Sequence, residues 1–180
     1  MGNTKGATLL GTVKFLRRHR DAAYGLLPAE LRRYLEDEIR PSGWYPTPHF
    51  RELLCAAVSL CPGDRDAALE SYGAAGAREH VALYGDLIFN LTESSGQLFV
   101  LWSMQHDTGS MSLVLKSPTS ANVELRDFED RNRDFCRVTT GYVREGLCMN
   151  DFTDIAIAEV ECAVDGADRC VWRASWKRGG

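Results

Sequence analysis

Residues 159–170 read EVECAVDGADRC. Cys162 and Cys170 stand eight apart around an Asp-Gly turn, and Glu159 lies three residues before the first of them. Thiolates and carboxylates are donors to divalent cations. The spacing nonetheless serves three chemistries: a disulfide hairpin, a metal knuckle, or two unrelated buried thiols. Strand geometry sets the demands of the metal reading. Side chains alternate across a strand, so a two-residue loop at Gly166-Ala167 puts the two cysteines on opposite faces. A three-residue loop, Asp165-Gly166-Ala167, pairs them directly. Glu159 shares their face only if a β-bulge falls between it and Cys162. Glu161, the competing carboxylate, is also on the wrong face of a straight strand.

Two thiols and one carboxylate are three donors, and a closed structural site takes four. Cys136, near the start of a long helical pattern, is the best fourth candidate. That helix must pack on the sheet to bury its apolar stripe, which carries Cys136 towards the hairpin. Such a cage is anionic and needs a nearby cation, with Arg137 or Arg169 as candidates. Cys55, Cys61 and Cys148 read as small core residues. His19, His49, His80 and His106 show no H-E-x-x-H or i,i+4 pairing and read as surface or capping groups. A haem-ligand role for His80 or His106 rests on residue type alone. There is no G-x-G-x-x-G, P-loop or G-x-S-x-G motif, and we expect no catalytic residues and no enzyme. The segment FVLWSMQH supplies Phe99, Trp102 and His106, an aromatic surface with one polar tip, as candidate ligand-binding residues. Plain core packing is the competing account of the same three.

The elements that must position these groups are helical first. Ala7–Arg18 and Ala29–Ile39 are predicted helices, the second opened by Pro28. Thr47-Pro48 predicts a cap and first turn for the helix running through HFRELLCAAVSL. Asp64 predicts a cap for RDAALESYGAAGA, and a further helical pattern runs from Arg78 towards Phe89. QLFVLWSMQ is a continuous apolar run that suits a buried strand or a buried helix. MSLVLKS and ANVELRDF alternate as strands. Phe128–Leu147 predicts a helix with Phe128, Phe135, Val138 and Tyr142 on one stripe, and Gly141 marks close backbone packing. IAIAEVECAVDGADRCVWRASW reads as a β-hairpin. The fold class is α+β: a helical N-terminal half packed on a small antiparallel sheet with a C-terminal β-hairpin, in one domain over 1–180.

The chain has 180 residues, 44% hydrophobic and 26% charged, with a net charge of −4. No basic field would recruit phosphate, so nucleic acid is not an expected partner; Arg17-Arg18-His19-Arg20 reads as a solvated helix end. No run approaches the ~18 apolar residues of a membrane span, and the N-terminus lacks a signal-peptide pattern. A cytoplasmic location follows as an expectation, with the six cysteines as thiols or metal ligands.

Cys136, TGYVREGL, EVEC, DGADRC and WRASW together resemble the 4-vinyl reductase domain family, most strongly over residues 120–176. That family's fold is similar to the transport-particle (TRAPP) trafficking subunits, and it forms the sensor domain of phenol-responsive regulators. The resemblance implies a structural zinc held by Cys136, Glu159, Cys162 and Cys170. It implies a small apolar or aromatic ligand and a homodimer. The phenol sensors continue into further domains and this chain stops four residues after Trp176, so output is expected to pass to a separate effector protein. The expected function is a stand-alone small-molecule sensor. The alternatives are a non-catalytic assembly adaptor with a side-chain-filled core, or an enzyme or accessory factor of tetrapyrrole metabolism.

Overall fold

The computed structural model describes residues 2–84, 97–150 and 152–178. A three-residue strand, β1 (Asn3–Lys5), pairs antiparallel with β2 (Trp44–Pro46). Between them run α1 (Gly6–Arg18), α2 (Arg20–Leu26) and a 3-10 helix (Ala29–Leu35). The expected α-helix to Ile39 is therefore a shorter, tighter turn. The 3-10 geometry still buries Leu31, Tyr34 and Leu35. α1 buries Leu9, Val13 and Leu16, a stripe at helical spacing. The basic run at its end is engaged at the surface: Arg17 donates to the carbonyls of Tyr34 and Asp37, and Arg20 pairs with Glu36.

α3 (Thr47–Ser59) follows β2 directly, with Pro48 in its first turn. Thr47 is not its cap, because its hydroxyl lies 2.9 Å from that of buried Thr4 on β1. α4 (Arg65–Tyr84) is one continuous helix where two were expected. Asp64 starts it as predicted, its Oδ1 accepting from the backbone N–H of Ala67 at 2.8 Å. The expected helical continuation to Phe89 lies outside the described residues. QLFVLWSMQ resolves as a helix, α5 (Gln97–Gln105).

The main sheet has the order β3-β4-β6-β5, all antiparallel, with β3 (Ser110–Ser117), β4 (Ser120–Arg126), β5 (Phe152–Glu161) and β6 (Arg169–Arg178). Ala121, Val123 and Leu125 of β4 and Cys170, Trp172, Ala174 and Trp176 of β6 alternate inward and are buried. α6 (Arg133–Cys148) covers that face. It begins later than predicted. Asn132 caps it by accepting from the backbone N–H of Phe135 at 2.9 Å, and Phe128 packs from the preceding loop against Phe135, ring centroids 4.7 Å apart.

α6 is sandwiched. Cys136, Thr140, Val143 and Leu147 share one face by helical spacing, and Thr140 accepts from the indole N–H of Trp172 at 3.1 Å. The opposite side meets α4 at very short range. A Cβ on Gly141 would lie 1.9 Å from the carbonyl oxygen of Glu70, and one on Gly73 would lie 1.9 Å from that of Val138. Two glycines thus let the helix backbones touch, as Gly141 predicted. No helix of the described residues is long and apolar enough to cross a membrane.

Candidate functional site

Two places gather chemistry. The first is the predicted donor set. One Sγ each from Cys136, Cys162 and Cys170 and one carboxylate oxygen of Glu159 all lie within 4.8 Å of one another. Cys136 Sγ and Cys162 Sγ are 3.7 Å apart. The bulge is present: Glu159 pairs with Trp172 and Glu161 with Val171, so Val160 is the extra residue. That irregularity turns Glu159 towards the thiols and leaves Glu161 at the surface. The turn is longer than three residues. A 3-10 turn at Ala163–Asp165 leads to Gly166 at φ +95°, the left-handed conformation that glycine adopts freely. Cys162 lies one step beyond the Glu161–Val171 pair, opposite Cys170.

The cation beside the cluster is neither Arg137 nor Arg169. Arg137 pairs with Asp66 at 2.8 Å, and Arg169 lies 3.5 Å from both Glu124 and Glu161. Arg133 is the near one, 3.7 Å from Glu159 Oε2 and paired also with Asp165. Glu159 Oε1 is buried with no hydrogen-bond partner. The thiols divide their protons unequally. The hydrogen bond with Cys170, and then burial, push the Cys136 thiol up. Cys170 is pulled down by that same bond, and the backbone N–H of Ala163 also donates to it, at 3.3 Å. Of the two, Cys170 is the thiol pulled down. These donor types and distances put one cation, or a pair of thiols to be oxidised, within the cluster's reach. A cavity of about 20 Å³ borders Cys136 and Cys170, about enough for one water. The other thiols lie apart: Cys55 bonds Asp134 at 3.1 Å, and Cys148 is exposed rather than core.

The second place is a cavity of about 160 Å³ between α1, α4, α5 and α6, with Phe50 and Met111 among its walls. Glycine and alanine on α1 and α4 (Gly11, Gly73, Ala75, Gly76) leave the space, and Tyr72, Trp102, Phe135 and Tyr142 supply ring surface. Trp102 and His106 of the predicted ligand set both line it. The Phe99 side chain lies outside the described residues. Trp102 donates its indole N–H to the carbonyl of Thr108 at 2.9 Å, and its ring lies 4.3 Å from that of His106.

His19 is the exposed group expected of it, at the junction of α1 and α2, but His80 and His106 are not. His106 is 7% exposed, among the rings of Trp102, Phe128 and Phe135. Its Nδ1 lies 3.2 Å from the hydroxyl of Thr4. Burial depresses its pKa to about 3, so it is neutral at physiological pH. Burial also lowers that of His80, whose Nδ1 lies 2.9 Å from the hydroxyl of Tyr142. Sequence reasoning missed Tyr72, Gln105 and Thr139 in these walls. The small residues of ESYGAAGA were the available signal, since they hold a helix close yet leave volume beside it.

No family model matches the chain, and no curated protein does. Solved structures do. An Ile-to-Phe mutant of the T. tengcongensis H-NOX protein matches at 13% identity, covering 97% of this chain and 98% of that one, with a TM-score of 0.69. An oxygen-binding H-NOX domain related to soluble guanylate cyclases matches at 12% identity over 96% and 95% of the two chains, TM-score 0.66. A third, solved to probe heme distortion in the H-NOX family, matches at 13% identity over 97% and 96%, TM-score 0.66. The fold is thus H-NOX-like, and this corrects the resemblance to the 4-vinyl reductase domain. That resemblance rested on a helix and a hairpin around four donors, a local motif, whereas the likeness of fold spans nearly the whole chain. The expectation of a structural zinc falls with it, because the cofactor described for proteins of this fold is heme.

A heme wants an axial ligand, room for a macrocycle of four pyrrole rings, and partners for its two propionates. Neutral His106, with Nδ1 held by Thr4, meets the first need. The space does not meet the second: about 160 Å³ is close to the ~150 Å³ apolar cavity that admits one benzene ring. The third also fails, since no lysine or arginine stands among the described lining residues and Glu79 does. These residues suit a single-ring guest and not a porphyrin.

Proposed function

We propose that the chain is a small-molecule sensor or binding domain of H-NOX-like fold whose guest is a compact, largely apolar molecule of about one aromatic ring. In this reading it binds its guest without turning it over, and its output passes to a separate effector protein. The observation that carries the reading is the cavity of about 160 Å³ walled by Trp102, Phe135, Tyr72 and Tyr142. The adaptor alternative requires a core filled by its own side chains, and the cavity speaks against that. The H-NOX neighbours support ligand binding at domain scale, one of them being described as oxygen-binding.

The test sets two guests against each other. Toluene should bind with saturable, ligand-observed NMR signals and should raise the melting temperature. Hemin added to the purified chain should give no stoichiometric, sharpened Soret band. A one-to-one hemin complex that His106→Phe abolishes would sink the proposal, as would a failure of toluene to bind.

A further inference from the structure

The polar groups that line this cavity are unequally engaged. Tyr72 is fully occupied, accepting from Thr12 at 2.9 Å and donating to the carbonyl of Thr8 at 3.1 Å. Two others are not. Gln105, on α5, is 5% exposed, and its side-chain carbonyl accepts from the Thr8 hydroxyl at 2.5 Å. Its amide N–H groups meet no hydrogen-bond partner among the described residues. Thr139, on α6, is 4% exposed, and its hydroxyl makes no hydrogen bond to the described residues. Both line the cavity, from different helices. Neither atom is sealed off by protein, so each is open to a partner inside the cavity.

We infer that the guest is an uncharged ring compound bearing one hydrogen-bond-accepting oxygen, which takes the amide N–H of Gln105 and the hydroxyl of Thr139. This rests on the cavity reading above and adds the chemical class of the ligand. An amide N–H donates only, so the guest must accept there. A carboxylate would accept as well, but no lysine or arginine stands among the described lining residues, and Glu79 does. An ion taken from water into such a site keeps its desolvation cost uncompensated. A guest without the oxygen displaces water from Gln105 and Thr139 and returns nothing to them. The ring fills the apolar walls in every case, and the oxygen sets the preference.

Toluene, acetophenone and benzoate share the ring and differ at this one point. Their affinities should be measured by calorimetry or ligand-observed NMR on the full chain. Acetophenone should bind about tenfold more tightly than toluene, the worth of one net hydrogen bond. Benzoate should bind more weakly than acetophenone by at least a similar factor. Gln105→Leu should erase the acetophenone advantage and keep toluene binding. Thr139→Val should shrink the advantage in the same direction, and it serves if Gln105→Leu does not fold. Equal binding of toluene and acetophenone, a preference for benzoate, or an advantage that survives both substitutions overturns the ligand class while the cavity reading stands. Failure of all three probes to bind overturns both.

Discussion

Glu159 is a carboxylate with one oxygen 3.7 Å from Arg133 and the other buried without a partner. It shares its site with three sulfurs, and hydrogen bonding pulls the Cys170 thiol down towards its anionic form. Two negative groups in one poorly hydrated place cost stability unless a positive charge joins them. Glu159→Gln removes the charge and keeps the shape. In chelator-treated, reduced protein it should stabilise the fold by about 1 kcal/mol in urea denaturation, on the scale of one unmade buried hydrogen bond. A loss of that size would mean that the carboxylate is held by contacts that an amide cannot reproduce. The four members of this cluster were legible in the sequence because strand alternation and one bulge are geometric rules that spacing alone exposes. His106 was not. A lone histidine carries no spacing signal, and its burial is decided by Phe128, Phe135 and Trp102, which arrive from other elements.

Helix α6 serves both sites at once, carrying Cys136 on its sheet side and Phe135, Val138, Thr139 and Tyr142 at the cavity, where it faces α4. The separation of these two helices is set by Gly73 and Gly141, whose missing Cβ atoms would lie 1.9 Å from facing carbonyl oxygens. Backbone cannot yield as a flexible side chain does. Gly141→Ala should therefore cost about 3 kcal/mol or more, the upper end for overpacking, even though alanine is the better helix former. Chemical denaturation reads the loss. A neutral or stabilising result would show that the helices can separate freely. Gly141 was readable because it interrupts an otherwise regular apolar stripe. The continuity of α4 was not, because this helix packs through glycine and alanine and so has no pronounced apolar face. The run QLFVLWSMQ could not be assigned from periodicity either. Its helical state is set by the elements around it: Gln105 is tied to Thr8 of α1, and the backbone N–H of Asp107, just past α5, donates to the carbonyl of Asn3 at 3.1 Å.

The whole molecule closes around one neutral imidazole. Thr4 of β1 reaches His106 from the N-terminal strand, while Trp102 of α5, Phe135 of α6 and Phe128 of the loop surround its ring. The local four-donor motif and the whole-chain likeness pointed to different folds because the first involves two elements and the second weighs all of them. His106 belongs to the second, and its titration reports on global folding. Its folded pKa, about 3, lies below the ~6.5 of an unfolded histidine. Between those values the unfolded chain binds a proton that the native chain refuses, so stability rises with pH. The contribution is complete above about pH 6.5 and falls by roughly 1.4 kcal/mol for each unit below that. His80, depressed by burial in the same direction, adds to the slope. His106→Phe keeps a ring among the aromatics and removes the proton site. Urea midpoints measured from pH 7.5 to 4.5 should fall steeply in the parent and less steeply in the variant, with the two curves converging towards acid. Parallel curves would mean that His106 opens to water before the fold does, and that the cavity's imidazole corner is not part of the cooperative core.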